Sequence, residues 1–118
     1  MKIYLATPVN GRNEKTLREK MYAACHRIEE MKDIVKELKR DCHDVTFTSS
    51  FDIKSVKNYL LGIVNERNLS EARIMGECVR MVMEADLVVM DDYGVESHGC
   101  CVEQFVAEQY GKEIINLY

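Results

Sequence analysis

Short apolar runs alternate along this chain with longer segments in which apolar residues recur at helical spacing. Residues 3–6, Ile-Tyr-Leu-Ala, predict a first strand, ended by Thr7-Pro8 and the turn signal Asn10-Gly11. From about Asn13 to Arg40 the apolar residues are Leu17, Met21, Ala24, Ile28, Met31, Val35 and Leu38, alternately four and three apart. That spacing predicts one long helix of ~40 Å, about twice the length of a typical strand. The seam is narrower than the usual amphipathic stripe, which leaves two readings open. The helix packs on a sheet of its own chain, or part of it overhangs the sheet and pairs with another subunit.

Val45–Thr48 predicts a second strand, and helices follow over 55–66 and 70–84 with Ser55 and Ser70 as N-caps. Leu87–Met90 is apolar throughout, as a strand buried on both faces requires. Val95–Gly99 reads as a loop, Cys100–Tyr110 as a helix stopped by Gly111, and Ile114–Leu117 as a last strand. In that final helix Val102, Phe105 and Val106 are the expected buried positions, which leaves Glu103 at the margin. The order β-α-β-α-α-β-α-β predicts an α/β fold: a small Rossmann-like (flavodoxin-like) three-layer domain over 1–118, with a four-stranded parallel sheet and a long first helix. Ligands of such sheets bind beyond the carboxyl ends of the strands, where strand order reverses. Here those are the loops Thr7–Arg12 and Asp91–Gly99.

Composition narrows the partners. The 118 residues are 47% hydrophobic and 31% charged, ordinary for a globular chain. No apolar run approaches a membrane span and no signal peptide is visible, so a cytoplasmic address is expected and a membrane is not. The net charge of −4 is uneven: residues 1–44 carry +2, residues 45–74 carry +1 and residues 75–118 carry −7. Without a basic stripe a nucleic-acid polymer is not an expected partner. Five scattered cysteines argue against a disulfide framework, and the absence of Cys-x-x-Cys argues against a metal. Buried reduced thiols are expected instead, with a helix N-terminus lowering the pKa of Cys100 and Cys101.

Two segments carry candidate chemistry. The segment from Tyr4 to Arg12 lacks both the G-x-G-x-x-G fingerprint and the phosphate-loop G-x-x-x-x-G-K-[ST] pattern, which removes the usual support for dinucleotide binding and NTP hydrolysis. Arg12 is either a phosphate partner or a solvated arginine. In Ser97-His98-Gly99-Cys100-Cys101-Val102-Glu103, Gly99 permits close backbone approach, and the first N–H groups of the next helix offer an anion site to which Ser97 adds a hydroxyl. Glu103 either opposes the helix dipole or works in the site. His98 reads as an exposed loop residue. Asp91 and Asp92 read as working carboxylates or as turn formers, and Asp86 as a structural cap.

The opening Met-Lys-Ile-Tyr-Leu-Ala-Thr-Pro, the stretch Glu84-Ala85-Asp86-Leu87-Val88-Val89, and Ser97-x-Gly99-x-x-x-Glu103 with Ala107 and Gly111-Lys112 resemble the nucleoside 2-deoxyribosyltransferase superfamily. The similarity is nearest to a branch of small bacterial and phage proteins and to the 2′-deoxynucleoside 5′-phosphate N-hydrolases. The resemblance implies N-glycosidic bond chemistry without a cofactor, on a small nucleoside or nucleotide, in a homodimer or higher homo-oligomer. Glu103 matches the nucleophile. Ser97 stands where the nucleotide hydrolases carry a serine and the nucleoside transferases an aspartate, which favours a 5′-monophosphate. Tyr4 matches a position bordering sugar and base, and Gly99, Cys100, Pro8, Asn10, Arg12 and Asp92 fall around the implied substrate. The chain departs from the hydrolases in carrying Pro8 and Asn10 in place of serine and arginine. Cys78 replaces their acidic residue, with Glu77 pointing about 100° away on a helix. The proton donor to the leaving base is therefore unassigned among Glu77, Asp91 and Asp92. The chain also ends at Tyr118, without the C-terminal extension that completes a neighbour's site in some relatives. The alternatives are a nucleotide-sensing module without catalysis, and an interaction protein built on the first helix.

Overall fold

A computed structural model of the chain describes residues 1–9, 14–91 and 97–117. It is an α/β, Rossmann-like fold with four parallel strands: β1 (Lys2–Ala6), β2 (Thr46–Ser49), β3 (Leu87–Met90) and β4 (Glu113–Asn116). The strand order is β2-β1-β3-β4, so the order reverses between β1 and β3. The long helix α1 (Leu17–Leu38) joins β1 to β2, α2 (Lys54–Leu60) and α3 (Glu71–Glu84) lead to β3, and α4 (His98–Gln109) leads to β4.

Each sheet face has its own core, because successive strand residues point to opposite sides. Ile3, Leu5, Leu87 and Val89 meet Met31 and Val35 of α1 on one face. Tyr4, Ala6, Val88 and Met90 meet Cys78, Met81 and Val82 of α3 with Cys100 and Ala107 of α4 on the other. A third cluster, Val56, Tyr59 and Leu60 of α2 with Leu17 and Met21 of α1, closes the end of the sheet near β2. Among the described residues no helix is long and apolar enough to cross a membrane.

The α1 seam meets the sheet through Met31 and Val35 and meets α2 through Leu17 and Met21. Met31 and Val35 have no exposed surface, while Leu38 at the far end is 57% exposed. The helix is also shorter than the spacing predicts. It starts at Leu17, where the Thr16 side chain accepts the Glu19 backbone N–H at 3.1 Å and the Glu19 carboxylate accepts the Lys15 N–H at 2.9 Å. With 22 residues it runs ~33 Å.

Other boundaries move for identifiable reasons. The helix expected over 55–66 stops at Leu60, because Gly62 takes φ +76° and passes its N–H to the Tyr59 carbonyl while the Ile63 N–H bonds to that of Asn58. This is a glycine-dependent C-terminal cap. Ser55 is not the cap of α2; the Ser49 side chain instead caps a short 3₁₀ turn, Ser50–Asp52, with Asp52 accepting the Ser49 N–H at 2.9 Å. Ser70 does cap α3, and Gly111 at φ +65° does end α4. The α4 helix begins two residues before Cys100, so Gly99 and the exposed His98 are helical and Ser97 is the N-cap. The outer strands each shift by one residue, to Thr46–Ser49 and Glu113–Asn116.

Removing the Met31 side chain leaves a cavity between α1 and the sheet, whereas removing that of Leu38 leaves none. Met31→Ala should therefore lower the unfolding free energy by about 2–5 kcal/mol and Leu38→Ala by under about 1 kcal/mol, as read by urea denaturation. Comparable losses at both positions would place the seam elsewhere.

Candidate functional site

A cleft of about 730 Å³ opens at the carboxyl ends of β1 and β2, on the sheet face covered by α3 and α4. Thr7, Pro8 and Val9 leave β1 into it, and Ser50 follows β2 into it. Met75 and Cys78 face it from α3, and Ser97, Gly99, Cys100 and Glu103 from the first turns of α4. Five of the residues expected around the substrate thus converge: Glu103, Ser97, Gly99, Cys100 and Pro8. Asn10, Arg12 and Asp92 lie outside the described residues, as does the Asn10-Gly11 turn.

Glu103 decides the character of the cleft. The α4 residues buried against the sheet and α3 are Cys100, Glu103 and Ala107, spaced three and four apart. Of the three positions expected to be buried, Val106 packs against the core, but Val102 and Phe105 are 41% and 61% exposed, so the buried stripe of α4 is rotated. The apolar content of 102, 105 and 106 pointed inward, but the small side chains of Cys100 and Ala107 let the helix approach closely on the other stripe and carry Glu103 in with them. Glu103 is only 5% exposed, and its Oε2 has no hydrogen-bond partner among the described residues. Loss of water pushes its carboxyl up to about 7, against partial easing by the Tyr4 phenol and Cys78 thiol.

Tyr4 lies beneath the cleft rather than beside a ligand, because its side chain is fully buried and is not part of the lining. Its hydroxyl lies against Glu103 and Cys78 without a partner of good hydrogen-bond geometry among the described residues, and burial first, then Glu103 and Cys78, raises its pKa well above 10. Burial likewise pushes the Cys78 thiol up to about 11. Tyr4, Cys78 and Glu103 therefore form a buried set of three titratable groups: Glu103 opposes ionisation of the phenol and the thiol, while the neutral phenol and thiol ease ionisation of Glu103.

The expected lowering of the Cys100 pKa is reversed. Burial, and then the adjacent Glu103, push this thiol up to about 12 and outweigh the helix N-terminus. Cys78 and Cys100 are buried, but Cys25 and Cys101 are exposed and Cys42 is half-buried, so only part of the expected set of buried thiols holds. None of the five is joined in a disulfide.

Ser97 accepts the Cys100 N–H at 3.3 Å and keeps a hydroxyl proton to donate. Ser50, 4% exposed, has an Oγ without a hydrogen-bond partner among the described residues and belongs to the cleft wall. Sequence reasoning passed over it; its position immediately after a strand's carboxyl end was the available signal. Tyr59, Ile74 and Met75 supply a largely apolar wall, and Glu71 and His98 stand on the rim.

The remaining carboxylates are committed elsewhere. Glu77 is half exposed and pairs with Arg80 at 2.9 Å. Asp91 is fully buried; its Oδ1 accepts from Arg27 Nε at 2.6 Å, and its Oδ2 accepts from the Thr7 hydroxyl. Arg27, which no motif marked, thus reaches from α1 to the carboxyl end of β3. Asp86 is structural: its Oδ2 accepts the Lys2 N–H at 2.8 Å at the opposite end of the sheet. Among the described residues no three His, Cys, Asp or Glu side chains converge to hold a metal ion.

A second hollow of about 400 Å³ lies across the sheet between α1, β2 and α2, lined by Leu5, Met21, Ile28, Phe47 and Leu60 among others. It lacks the inward-facing, unpartnered polar atoms of the cleft. Comparison of the chain with family models, curated proteins and solved structures finds no match.

A carboxyl raised from 4.5 to about 7 by folding is protonated in the native chain while already ionised in the unfolded one. The unfolded state then binds fewer protons, so stability falls as pH rises from about 4.5 to about 7, by about 3 kcal/mol. Urea titrations across that range should show the decline in the wild type and its absence in Glu103→Gln. An identical pH dependence in both proteins would contradict the burial of this carboxyl.

Proposed function

We propose that the chain cleaves or transfers at the N-glycosidic bond of a (deoxy)nucleoside 5′-monophosphate, with Glu103 as the nucleophile. The observation that carries this reading is the 5%-exposed carboxyl of Glu103 in the wall of the cleft, whose Oε2 has no hydrogen-bond partner among the described residues, on the helix whose N-cap is Ser97. A buried carboxylate oxygen left without a partner costs stability, and a reacting centre that takes up its lone pair justifies that cost. The resemblance in Ser97-x-Gly99-x-x-x-Glu103 points to the same residue.

In this reading the phosphate sits against Ser97 and the first N–H groups of α4, where helix geometry leaves donors without intrahelical acceptors. The base lies along Tyr59, Ile74 and Met75, and Ser50 offers a hydroxyl to the sugar. A Glu103 oxygen attacks C1′ as the C1′–N bond breaks, giving a glycosyl ester; water or a second base then attacks C1′ and restores the carboxylate. Tyr4 and Cys78 back the carboxylate and partly ease its ionisation against the effect of burial. Only the ionised carboxylate attacks, so kcat/KM rises with pH through about 7, the value to which burial lifts Glu103.

The test is release of free base, followed by chromatography, from a panel of ribo- and deoxyribonucleoside 5′-monophosphates carrying purine, pyrimidine or pyridinium bases. Release by the wild type, lowered about a thousandfold or more in Glu103→Gln, supports the proposal. Saturable binding without turnover in either protein would overturn it and leave a nucleotide sensor.

A further inference from the structure

The hollow of about 400 Å³ across the sheet from the cleft lies beside β2, the last strand at one end of the order β2-β1-β3-β4. Its floor is apolar, made by Ala24 and Ile28 of α1, Phe47 of β2 and Leu60 of α2. The cleft wall carries buried polar atoms without partners, at Ser50 and Glu103; among the described residues no such atom lines the hollow. A small-molecule site orients its ligand with a few placed polar groups. An apolar side chain of another polypeptide needs only shape and contact, because the rest of its interface orients it.

The border of the hollow carries side chains of the kind that would fill it. Gly62, at φ +76°, ends α2 and turns the chain so that Leu61 and Ile63 stand 61% and 67% exposed. Leu61 itself lines the hollow, so a socket and two projecting apolar side chains share one face. A face that holds both is complementary to itself, and a twofold axis beside it places the side chains of each copy in the socket of the other. The charges agree. Glu29 and Asp52 stand at the hollow with Lys32 and Lys57, two of each sign, so two copies of the face meet without net repulsion. A rim of one sign would instead select a partner of the opposite charge.

We propose that this face is the contact surface between two copies of the chain, with Leu61 and Ile63 of each entering the hollow of the other. Scattered apolar residues on a surface are ordinary, but a concave apolar patch bordered by projecting apolar side chains is the material of an interface core. Cys25, exposed on α1 and part of the same lining, is covered in the pair. The face is on the α1 side of the sheet and the cleft on the side of α3 and α4, and the proposal does not depend on the glycosidic reading of Glu103.

Sedimentation equilibrium of the full chain is expected to show monomer and dimer in exchange at micromolar concentrations. Leu61→Asp and Ile63→Asp each raise the dissociation constant by about tenfold or more, the scale of a central apolar contact. Both side chains are exposed, so the monomer stays folded, which circular dichroism and urea denaturation check. Phe105→Asp, on the exposed side of α4 across the sheet, leaves the constant unchanged. Above the dissociation constant, maleimide labelling of Cys25, read by peptide mass, is about tenfold or more slower in the wild type than in Ile63→Asp, since the dimer withholds the thiol. A wild type that stays monomeric overturns the proposal. So does a dimer that survives both Leu61→Asp and Ile63→Asp or is dissociated by Phe105→Asp, and so does equal labelling of Cys25 in the wild type and Ile63→Asp.

Discussion

The two central strands have no side facing water, and much of the remaining architecture answers that constraint. β1 and β3 are covered by α1 on one face and by α3 and α4 on the other, so polar groups of the chain can emerge only at the strand ends. At the carboxyl ends the first polar residues are Thr7 and Asp91, both buried. Asp91 carries a charge into that position and is met by Thr7 from the neighbouring strand and by Arg27 from α1. Removing one partner of such a buried pair leaves an uncompensated charge, which makes the tie hard to lose. It links β1, β3 and the long helix at the point where the strand order reverses.

The cleft depends on that arrangement because its walls leave the same strand ends. Pro8 follows Thr7 out of β1, and α4 starts after β3 and returns along the sheet. Close approach of α4 through Cys100 and Ala107 buries Glu103 on the same stripe. Burial then lifts the carboxyl's pKa to about 7 and keeps Tyr4 and Cys78 neutral beside it. Three titratable groups buried with so little pairing are a poor way to stabilise a domain of this size, and a strained electrostatic centre of this kind is typical of functional sites.

Legibility in the sequence followed how far each feature depends on local pattern. The Leu87–Met90 run, the α1 seam and the terminators Gly111 and Ser70 were readable, because periodicity and capping act over a few residues. Gly62 was readable in principle but was outweighed by the apolar residues around it, Leu61 and Ile63, which extended the apparent helix. The orientation of α4 was misread, since hydrophobicity favoured Val102 and Phe105 while packing favoured the smaller Cys100 and Ala107. Within the site, Ser97 and Gly99 could be named from the start of a helix, and Glu103 from the resemblance carried by Ser97-x-Gly99-x-x-x-Glu103. Ser50 and Arg27 could not, because each acquires its role from a partner or a surface far away in sequence.

The sequence by itself determined the succession of strands and helices and the parallel sheet, because side-chain periodicity and right-handed crossovers leave few other arrangements. It also marked the segment that carries the carboxylate. Only the tertiary structure decided that this carboxylate is buried, that a phenol and a thiol lie against it, and that Asp91 is held by an arginine more than sixty residues earlier in the chain. Charge state depends on what surrounds a group in three dimensions, and solvent exclusion is a property of packed layers that no local pattern records.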